Sequence, residues 1–263
     1  MLLTPAHNQI RTNSRLAVLF ASVSIVWFSP AAADSALVAV ATNFSEVAQK
    51  LSLEFEQEHR HDIILTAGST GKLYAQITNG APFDLLLAAD SERPMLLEKS
   101  GKAVAGTRTV YAIGRLTLWS AGSDPARPLG RDTLEKGEFR SLAIANPKLA
   151  PYGAAAKQTL QSLGLWELLE HKIVMGENIG QTYAMVATHN VELGLVALSY
   201  ARSPRNDLPG RRWDVPADLH VPVRQEAVLL SHGAENEAAR AFLDYLATES
   251  AKATITSFGY DTE

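Results

Sequence analysis

Four short segments of the chain combine hydroxyl, amide and glycine residues at positions where a strand pattern gives way to a helix pattern. A helix start exposes N–H groups that have no partner within the helix and carries roughly half a positive charge. Several such starts, brought together, would bind an anion without a charged side chain. Each segment alone is better explained as an ordinary helix cap, and it is the presence of two pairs, one in each predicted lobe, that favours an anion site. The segments are Thr42-Asn43, Gly68-Ser69-Thr70-Gly71, Pro151-Tyr152-Gly153 and Asn178-Ile179-Gly180.

The four segments contain hydrogen-bond donors and no carboxylate. A tetrahedral dianion without a proton offers acceptors only, so a site made of donors suits it. Monoprotonated phosphate would need one acceptor as well, and Glu177 beside the fourth segment keeps that alternative open. Sulfate carries the same charge as the other tetrahedral dianions and would have to be distinguished by the size of the cavity.

Other chemistries have weaker signals. The segment from Gly68 to Lys72 has only two residues between its glycines and is followed by Leu73, unlike a nucleotide-binding P-loop. We expect Lys72 to be a solvated residue of the first helical turn. No Gly-x-Ser-x-Gly segment occurs for a hydrolase, and the His59-Arg60-His61-Asp62 run has no companion cluster at metal-ligand spacing. The sequence therefore predicts neither an enzyme nor a metal site.

Composition excludes two further classes of function. The 263 residues include 24 Lys and Arg against 28 Asp and Glu, a formal charge of −4, and no Cys. Without a basic run the chain is a poor candidate for nucleic-acid binding. The absence of Cys excludes disulfides and thiolate chemistry.

The first 33 residues have the pattern of an export signal. Arg11 and Arg15 precede an apolar run from Leu16 to Phe28, and small residues at Ala31-Ala32-Ala33 offer a cleavage site. A permanent membrane anchor is the alternative, but the run is shorter than the ~20 residues that a spanning helix needs. We expect cleavage between Ala33 and Asp34 and a periplasmic location.

The elements that would carry the four segments alternate between strand and helix. Apolar, β-branched runs predict strands, and apolar residues at a spacing of three or four predict helices. The nearly continuous apolar runs are typical of parallel strands buried on both faces. Strands are predicted at Leu37–Ala41, Asp62–Thr66, Phe83–Asp90, Leu116–Ser120, Ser141–Ala145, Lys172–Met175, Leu193–Leu198 and Val221–Leu230; helices at Phe44–His59, Lys72–Asn79, Ala154–Leu163, Gln181–Asn190 and Glu235–Thr254; a passage between lobes at Ala121–Gly137; and a surface segment at Arg202–Ala217.

Several stretches resemble the periplasmic molybdate-binding proteins of ABC importers. They are VAVATNF at 38–44, AGSTGKLYAQITNGAPFDLLLAAD at 67–90, the ANPKLAPYG segment ending at Gly153, and the closing FLDYL and FGY. The similarity covers essentially the whole chain after the signal, and residues 67–90 are its most specific part. It implies an α/β class II periplasmic-binding-protein fold, with two lobes joined by hinge strands around a ligand cleft. We expect residues 34–114 with 228–263 to form lobe I and residues 115–227 to form lobe II.

The resemblance also implies the ligand residues. The first-loop ligand of the family corresponds to Thr42, with Asn43 beside it, and the second-loop serine corresponds to Ser69. The ligands of the second lobe correspond to Tyr152 and, through its backbone N–H, Ile179. One departure is Ala197, where many members of the family have a tyrosine whose hydroxyl is a further donor. The Thr-Asn first loop together with Tyr152 resembles a sub-branch of the family.

By the same resemblance, the protein would bind molybdate or tungstate, without a metal cation or cofactor, and deliver it to an ABC permease. Hinge closure would capture the anion, with the strands near Leu116 and Arg224–Ala227 as hinge candidates. We expect a monomer that binds no nucleic acid. The alternatives are a binding protein for another oxyanion (sulfate or phosphate) or a small organic anion, and, with least support, an exported hydrolase.

Overall fold

The computed structural model describes residues 1–3, 34–122, 128–203, 208 and 210–263. The chain divides into two compact units, residues 1–32 and residues 33–263, and the account below concerns the second. The predicted export signal lies almost wholly outside the described residues. Among those residues, no helix is both long and apolar enough to cross a membrane.

The part of the chain that the structure describes contains ten strands in two sheets. In chain order they are β1 (Ser35–Ala41), β2 (Asp62–Gly68), β3 (Leu85–Leu87), β4 (Thr109–Gly114), β5 (Leu116–Ala121), β6 (Leu142–Ala145), β7 (Ile173–Gly176), β8 (Leu193–Ala197), β9 (Gly210–Asp214) and β10 (Val223–Leu229). The first sheet has the order β2-β1-β3-β10-β4 and the second the order β7-β6-β8-β5-β9. Each sheet is the centre of one α/β lobe, as the sequence predicted.

Ten α-helices cover the sheets in the described residues. They are α1 (Ser45–Glu58), α2 (Thr70–Thr78), α3 (Glu92–Lys99), α4 (Arg131–Lys136), α5 (Pro151–Ser162), α6 (Trp166–Leu169), α7 (Ile179–Ala187), α8 (Leu198–Arg202), α9 (Glu237–Tyr245) and α10 (Glu249–Ser257). The strand β1 has helices on both faces, because Val38 and Val40 join the core beneath α1, α9 and α10 while Ala39 joins the core beneath α2 and α3. This double burial is the reason that β1 is apolar at successive positions.

The chain crosses between the sheets twice. The first crossing is at Arg115, between β4 and β5, and the second spans residues 215–222, between β9 and β10. The predicted boundary between residues 227 and 228 falls inside β10. That strand pairs with β4 from Val223 and with β3 from Ala227, so residues 223–229 belong to the first sheet.

Four predicted elements differ most from the structure. The strand predicted at Phe83–Asp90 is regular only over Leu85–Leu87. The segment Ala121–Gly137, predicted to pass between lobes, instead joins β5 to β6 of the second sheet and contains the short helix α4. The predicted surface segment Arg202–Ala217 contains the edge strand β9. The single helix predicted at Glu235–Thr254 is two helices, because Thr248 takes an extended conformation (φ −70°, ψ 153°) and its side chain caps α10 by accepting a hydrogen bond from the N–H of Ala251.

The cap at Thr248 provides a test of this chain break. Thr248→Ala should lower the free energy of unfolding by about 1 kcal/mol, because the hydrogen bond that satisfies the first turn of α10 is lost. Urea denaturation measures the change. Thr256→Ala, at an exposed position in the last turn of the same helix, is the matched control and should cause no loss, since alanine favours helix. Equal stability of the Thr248 variant and the wild type would contradict the assigned cap.

Candidate functional site

Thr42 and Ser69 lie side by side in the first lobe. The parallel register pairs Ala41 of β1 with Gly68 of β2, so each residue follows the end of one of two neighbouring strands. Thr42 begins a 3-10 turn that leads into α1. Ser69 is buried and caps α2, with its Oγ 3.4 Å from the N of Lys72. The first lobe therefore directs two hydroxyl-bearing residues and the start of α2 to one edge of its sheet.

The second lobe repeats this arrangement with Tyr152 and Ile179. Its register pairs Ala145 of β6 with Gly176 of β7, and the helices α5 and α7 follow these strand ends. Tyr152 is the second residue of α5, behind Pro151, and Ile179 is the first residue of α7. Their backbone N–H groups therefore belong to first helical turns, where no partner exists within the helix and the dipole is positive.

Contacts between the lobes bring the two pairs of segments together. The N–H of Gly71 in α2 donates to the carbonyl of Leu149, just before α5, at 2.9 Å. At the start of α7, a Cβ added to Gly180 would lie 3.6 Å from the Cβ of Thr42. The helix starts of the second lobe thus face the strand ends of the first, as the sequence analysis requires.

An ion pair joins the lobes near these helix starts. The Nζ of Lys72 lies 2.6 Å from Oε2 of Glu177, and both side chains are about half exposed or more (46% and 64%). Lys72 is therefore solvated, as expected, but it is also paired. Exposed pairs contribute little to stability. Glu177, which the sequence offered as a possible acceptor for phosphate, is therefore paired with a lysine.

Asn43 has its side chain in a buried network behind the cleft. Its Nδ2 donates to Oε1 of Gln225 at 2.7 Å and to the hydroxyl of Tyr260 at 3.1 Å. These two bonds use both N–H groups of the side-chain amide. Burial raises the pKa of Tyr260 to about 12, so this hydroxyl keeps its proton at neutral pH. In this conformation Asn43 has its backbone N–H, and no side-chain donor, for a ligand.

The ring of Tyr152 points into the hinge region. Its hydroxyl lies 3.5 Å from Nε2 of Gln225, and a Cβ added to Gly114 would lie 2.2 Å from the hydroxyl oxygen. Burial raises the pKa of Tyr152 well above its usual value. Glycine at 114, the last residue of β4, therefore leaves the space that the phenol fills. The contribution of Tyr152 at the start of α5 is its backbone N–H.

Tyr200 brings a tyrosine hydroxyl to the first loop from the helix that follows Ala197. Ala197 is fully buried at the end of β8. Three residues further on, in α8, Tyr200 donates its hydroxyl to the carbonyl of Thr42 at 2.6 Å. Tyr200, Gln225 and Tyr260 were not among the predicted site residues, because none of them lies in a loop that follows a strand and leads into a helix with an anion-binding pattern. A tyrosine one helical turn after Ala197 was the available signal.

A separate cavity of about 470 Å³ opens beside this convergence. It lies between the start of α3, the start of α5 and the start of β10, and its lining includes Asp90, Arg93 and Pro151 but none of the five predicted ligand residues. Asp90 and Arg93 form an ion pair with each other. Within the described parts of the chain, no group of three His, Asp or Glu side chains could hold a metal ion.

Comparison with known proteins agrees with this geometry. Residues 36–261 match the family of bacterial extracellular solute-binding proteins. The chain is 47% identical over 223 residues to the molybdate-binding protein ModA of Azotobacter vinelandii, covering 85% of this chain and 88% of that protein. It is 44% identical over 234 residues to the ModA of Rhodobacter capsulatus, covering 89% and 91%. The solved structure of the A. vinelandii periplasmic molybdate-binding protein aligns with a TM-score of 0.82 at 36% identity, covering 87% of this chain and 99% of that one.

The chain therefore belongs to the bacterial extracellular solute-binding proteins, whose members bind a solute for transport and are not enzymes. Within them, it is 44–47% identical to two proteins named for molybdate binding, which confirms the resemblance found in the sequence. The predicted two-lobed binding-protein fold is also confirmed.

The start of α5 allows a test of the site's backbone geometry. A Cβ at Gly153 would lie 2.2 Å from the carbonyl oxygen of Ala145, so Gly153→Ala must displace the backbone. We expect a loss of about 1–3 kcal/mol of unfolding free energy, as for other overpacked positions. Gln161→Ala, at an exposed position of the same helix, is the control. Urea denaturation that finds the two variants equally stable would contradict the close approach.

Proposed function

We propose that this protein captures molybdate or tungstate between its lobes and delivers it to the permease of an ABC transporter. One observation carries the proposal: donor groups at strand ends and helix starts of both lobes converge, in a chain 44–47% identical to molybdate-binding proteins. The family implies a small oxyanion ligand and a membrane permease as partners.

In the proposed site, five residues surround the anion. Thr42 and Ser69 supply their hydroxyl groups, and the helix start at Ser69 adds backbone N–H groups. Ile179 supplies its backbone N–H. Asn43 and Tyr152 act through their backbone N–H groups, since their side chains are committed to the buried network around Gln225. No counter-charge or cofactor takes part, because charge-assisted hydrogen bonds and helix dipoles stabilise the anion.

Charge and protonation favour a fully deprotonated dianion over phosphate. Monoprotonated phosphate has a proton to donate and needs an acceptor. Glu177, the acidic residue next to the fourth segment, forms an ion pair with Lys72 at 2.6 Å. Sulfate has the charge of molybdate, so selection between them depends on how far the lobes close.

Lobe closure follows from the same contacts. An anion bound by Thr42 and Ser69 presents its remaining oxygens to the starts of α5 and α7, which favours the closed form. The chain crossings at Arg115 and at residues 215–222 adjoin the hinge candidates predicted from the sequence. The permease would then recognise the closed surface formed by both lobes.

The remaining expectations are part of the proposal. Molybdate-binding relatives are periplasmic proteins, and we propose export through residues 1–33 with cleavage before Asp34. We propose a monomer of two lobes, with residues 34–114 joined by the C-terminal part of the chain from β10 onwards, and the second lobe beginning at residue 115.

Ligand identity is tested by titration of mature protein that has been unfolded, stripped of ligand and refolded. Molybdate and tungstate should each raise the melting temperature, because a ligand at 100 times its dissociation constant stabilises the native state by about 2.7 kcal/mol. Trp fluorescence follows the same titration. Sulfate and phosphate are the comparison anions. A clear response to either of these, with none to molybdate or tungstate, would overturn the assignment.

The role of Ser69 is tested by Ser69→Ala. Loss of a charge-assisted hydrogen bond should weaken molybdate binding by about 1.5–3 kcal/mol, measured by calorimetric titration. Thr248→Ala is the matched control, because it also removes a hydroxyl that caps a helix but lies in the C-terminal part of the chain, at the start of α10. We expect the control to bind molybdate like the wild type. Unchanged affinity in the Ser69 variant would remove this residue from the site.

A further inference from the structure

The backbone carbonyls of the first ligand loop accept hydroxyl groups from the opposite lobe. Tyr200, in α8 of the second lobe, donates to the carbonyl of Thr42 at 2.6 Å, and Ser199 donates to the carbonyl of Asn43 at 3.2 Å. Ser45 also donates to the carbonyl of Thr42, at 2.8 Å, but it is the first residue of α1 and belongs to the same lobe. The bonds from Tyr200 and Ser199 therefore join the two lobes at the loop that is proposed to hold the anion.

The second lobe fixes the position of the Tyr200 hydroxyl. The ring of Tyr200 stacks on Tyr183 of α7, with centroids 4.9 Å apart and planes 12° apart, and Tyr183 in turn lies 4.9 Å from the ring of Trp119 in β5. Burial raises the pKa of Tyr200 well above its usual value, so the hydroxyl remains a donor at neutral pH. The Tyr200 hydroxyl therefore moves together with the second lobe.

The hydroxyl also adjoins the start of α7. A Cβ added to Gly180 would lie 2.9 Å from the Tyr200 oxygen and 3.6 Å from the Cβ of Thr42. Gly180 directly follows Ile179, whose N–H is a proposed ligand. One phenolic oxygen therefore lies where the first loop of one lobe meets a helix start of the other.

We propose that Tyr200 is a positioning residue for the bound anion: its hydroxyl, acting across the cleft on the carbonyl of Thr42, orients the first ligand loop and stabilises the closed form. This inference rests on the proposed function. Tyr200 is assigned no contact with the anion itself.

The peptide group explains how a bond to a carbonyl acts on the ligand. In a planar trans peptide, the C=O of Thr42 and the N–H of Asn43 point in opposite directions. Holding the Thr42 carbonyl toward α8 therefore fixes the orientation of the Asn43 N–H, which belongs to the same planar peptide group. Accepting a hydrogen bond also polarises the peptide group and strengthens its N–H as a donor.

The test is Tyr200→Phe, which keeps the stacked ring and removes the hydroxyl. We expect molybdate to bind about 3 to 10 times more weakly, as for the loss of one hydrogen bond. The change should appear mainly in the dissociation rate, followed by Trp fluorescence in a stopped-flow instrument. Ser199→Ala, a second variant on the same helix, should change the dissociation rate in the same direction.

Tyr245→Phe is the matched control. Its hydroxyl lies 3.5 Å from Oε2 of Glu54, and both residues belong to helices of the first lobe, α9 and α1. The control should bind molybdate like the wild type. The melting temperature of ligand-free Tyr200→Phe should fall no further than that of this control, because the lost bond acts in the closed form.

The outcomes separate the two proposals. Wild-type protein that binds neither molybdate nor tungstate would overturn the proposed function and this inference with it. Binding by the wild type, with unchanged dissociation rates in both Tyr200→Phe and Ser199→Ala, would overturn the inference alone. A fall in the ligand-free melting temperature of Tyr200→Phe without a faster dissociation would assign Tyr200 a purely structural role.

Discussion

A doubly charged oxyanion leaves water only when other donors replace its hydration shell, and this requirement accounts for most of the structure. An unpaired charge in a protein interior is very costly, so every oxygen of the anion needs N–H or O–H partners. Here the candidate donors come from the ends of four parallel strands, two in each sheet. Parallel strands end at one edge of a sheet, so each lobe collects its donors there, and closing the lobes completes the set.

A second group of buried polar residues holds the first of the candidate ligand loops in place. Peptide carbonyls beside the site would repel an anion unless they pointed away from it. The carbonyl of Asn43 accepts from the hydroxyl of Tyr260 at 2.6 Å, and Gln225 binds the Asn43 side chain from the hinge strand β10. The strand is irregular at this point, with a register shift between Gln225 and Glu226. Such bulges re-aim side chains, and this one lies where the network meets the hinge.

The sequence predicted the strand-to-helix junctions well because their signals are local. The apolar run before Thr42 and the Gly-Ser-Thr-Gly turn at Ser69 report a buried parallel strand and a helix start without knowledge of the rest of the chain. It did not predict Tyr200 or Gln225 as parts of the site. Each of these residues is more than 150 positions away in the sequence from its partner in the first loop, and no local pattern encodes such a contact. It also merged α9 and α10, since a single extended residue at Thr248 interrupts the helical spacing only briefly.

Several contacts between the lobes are weak enough for a bound ligand to shift the equilibrium between open and closed forms. The Lys72–Glu177 pair is exposed and therefore weak. Other links between the lobes, such as those from Gly71 and Tyr200, are single hydrogen bonds, each of which contributes about 0.5–1.5 kcal/mol. Much stronger links would keep the empty cleft closed and obstruct the ligand. With weak links, an anion that binds both lobes supplies the free-energy difference between open and closed forms, which is the condition for a ligand to shift that equilibrium.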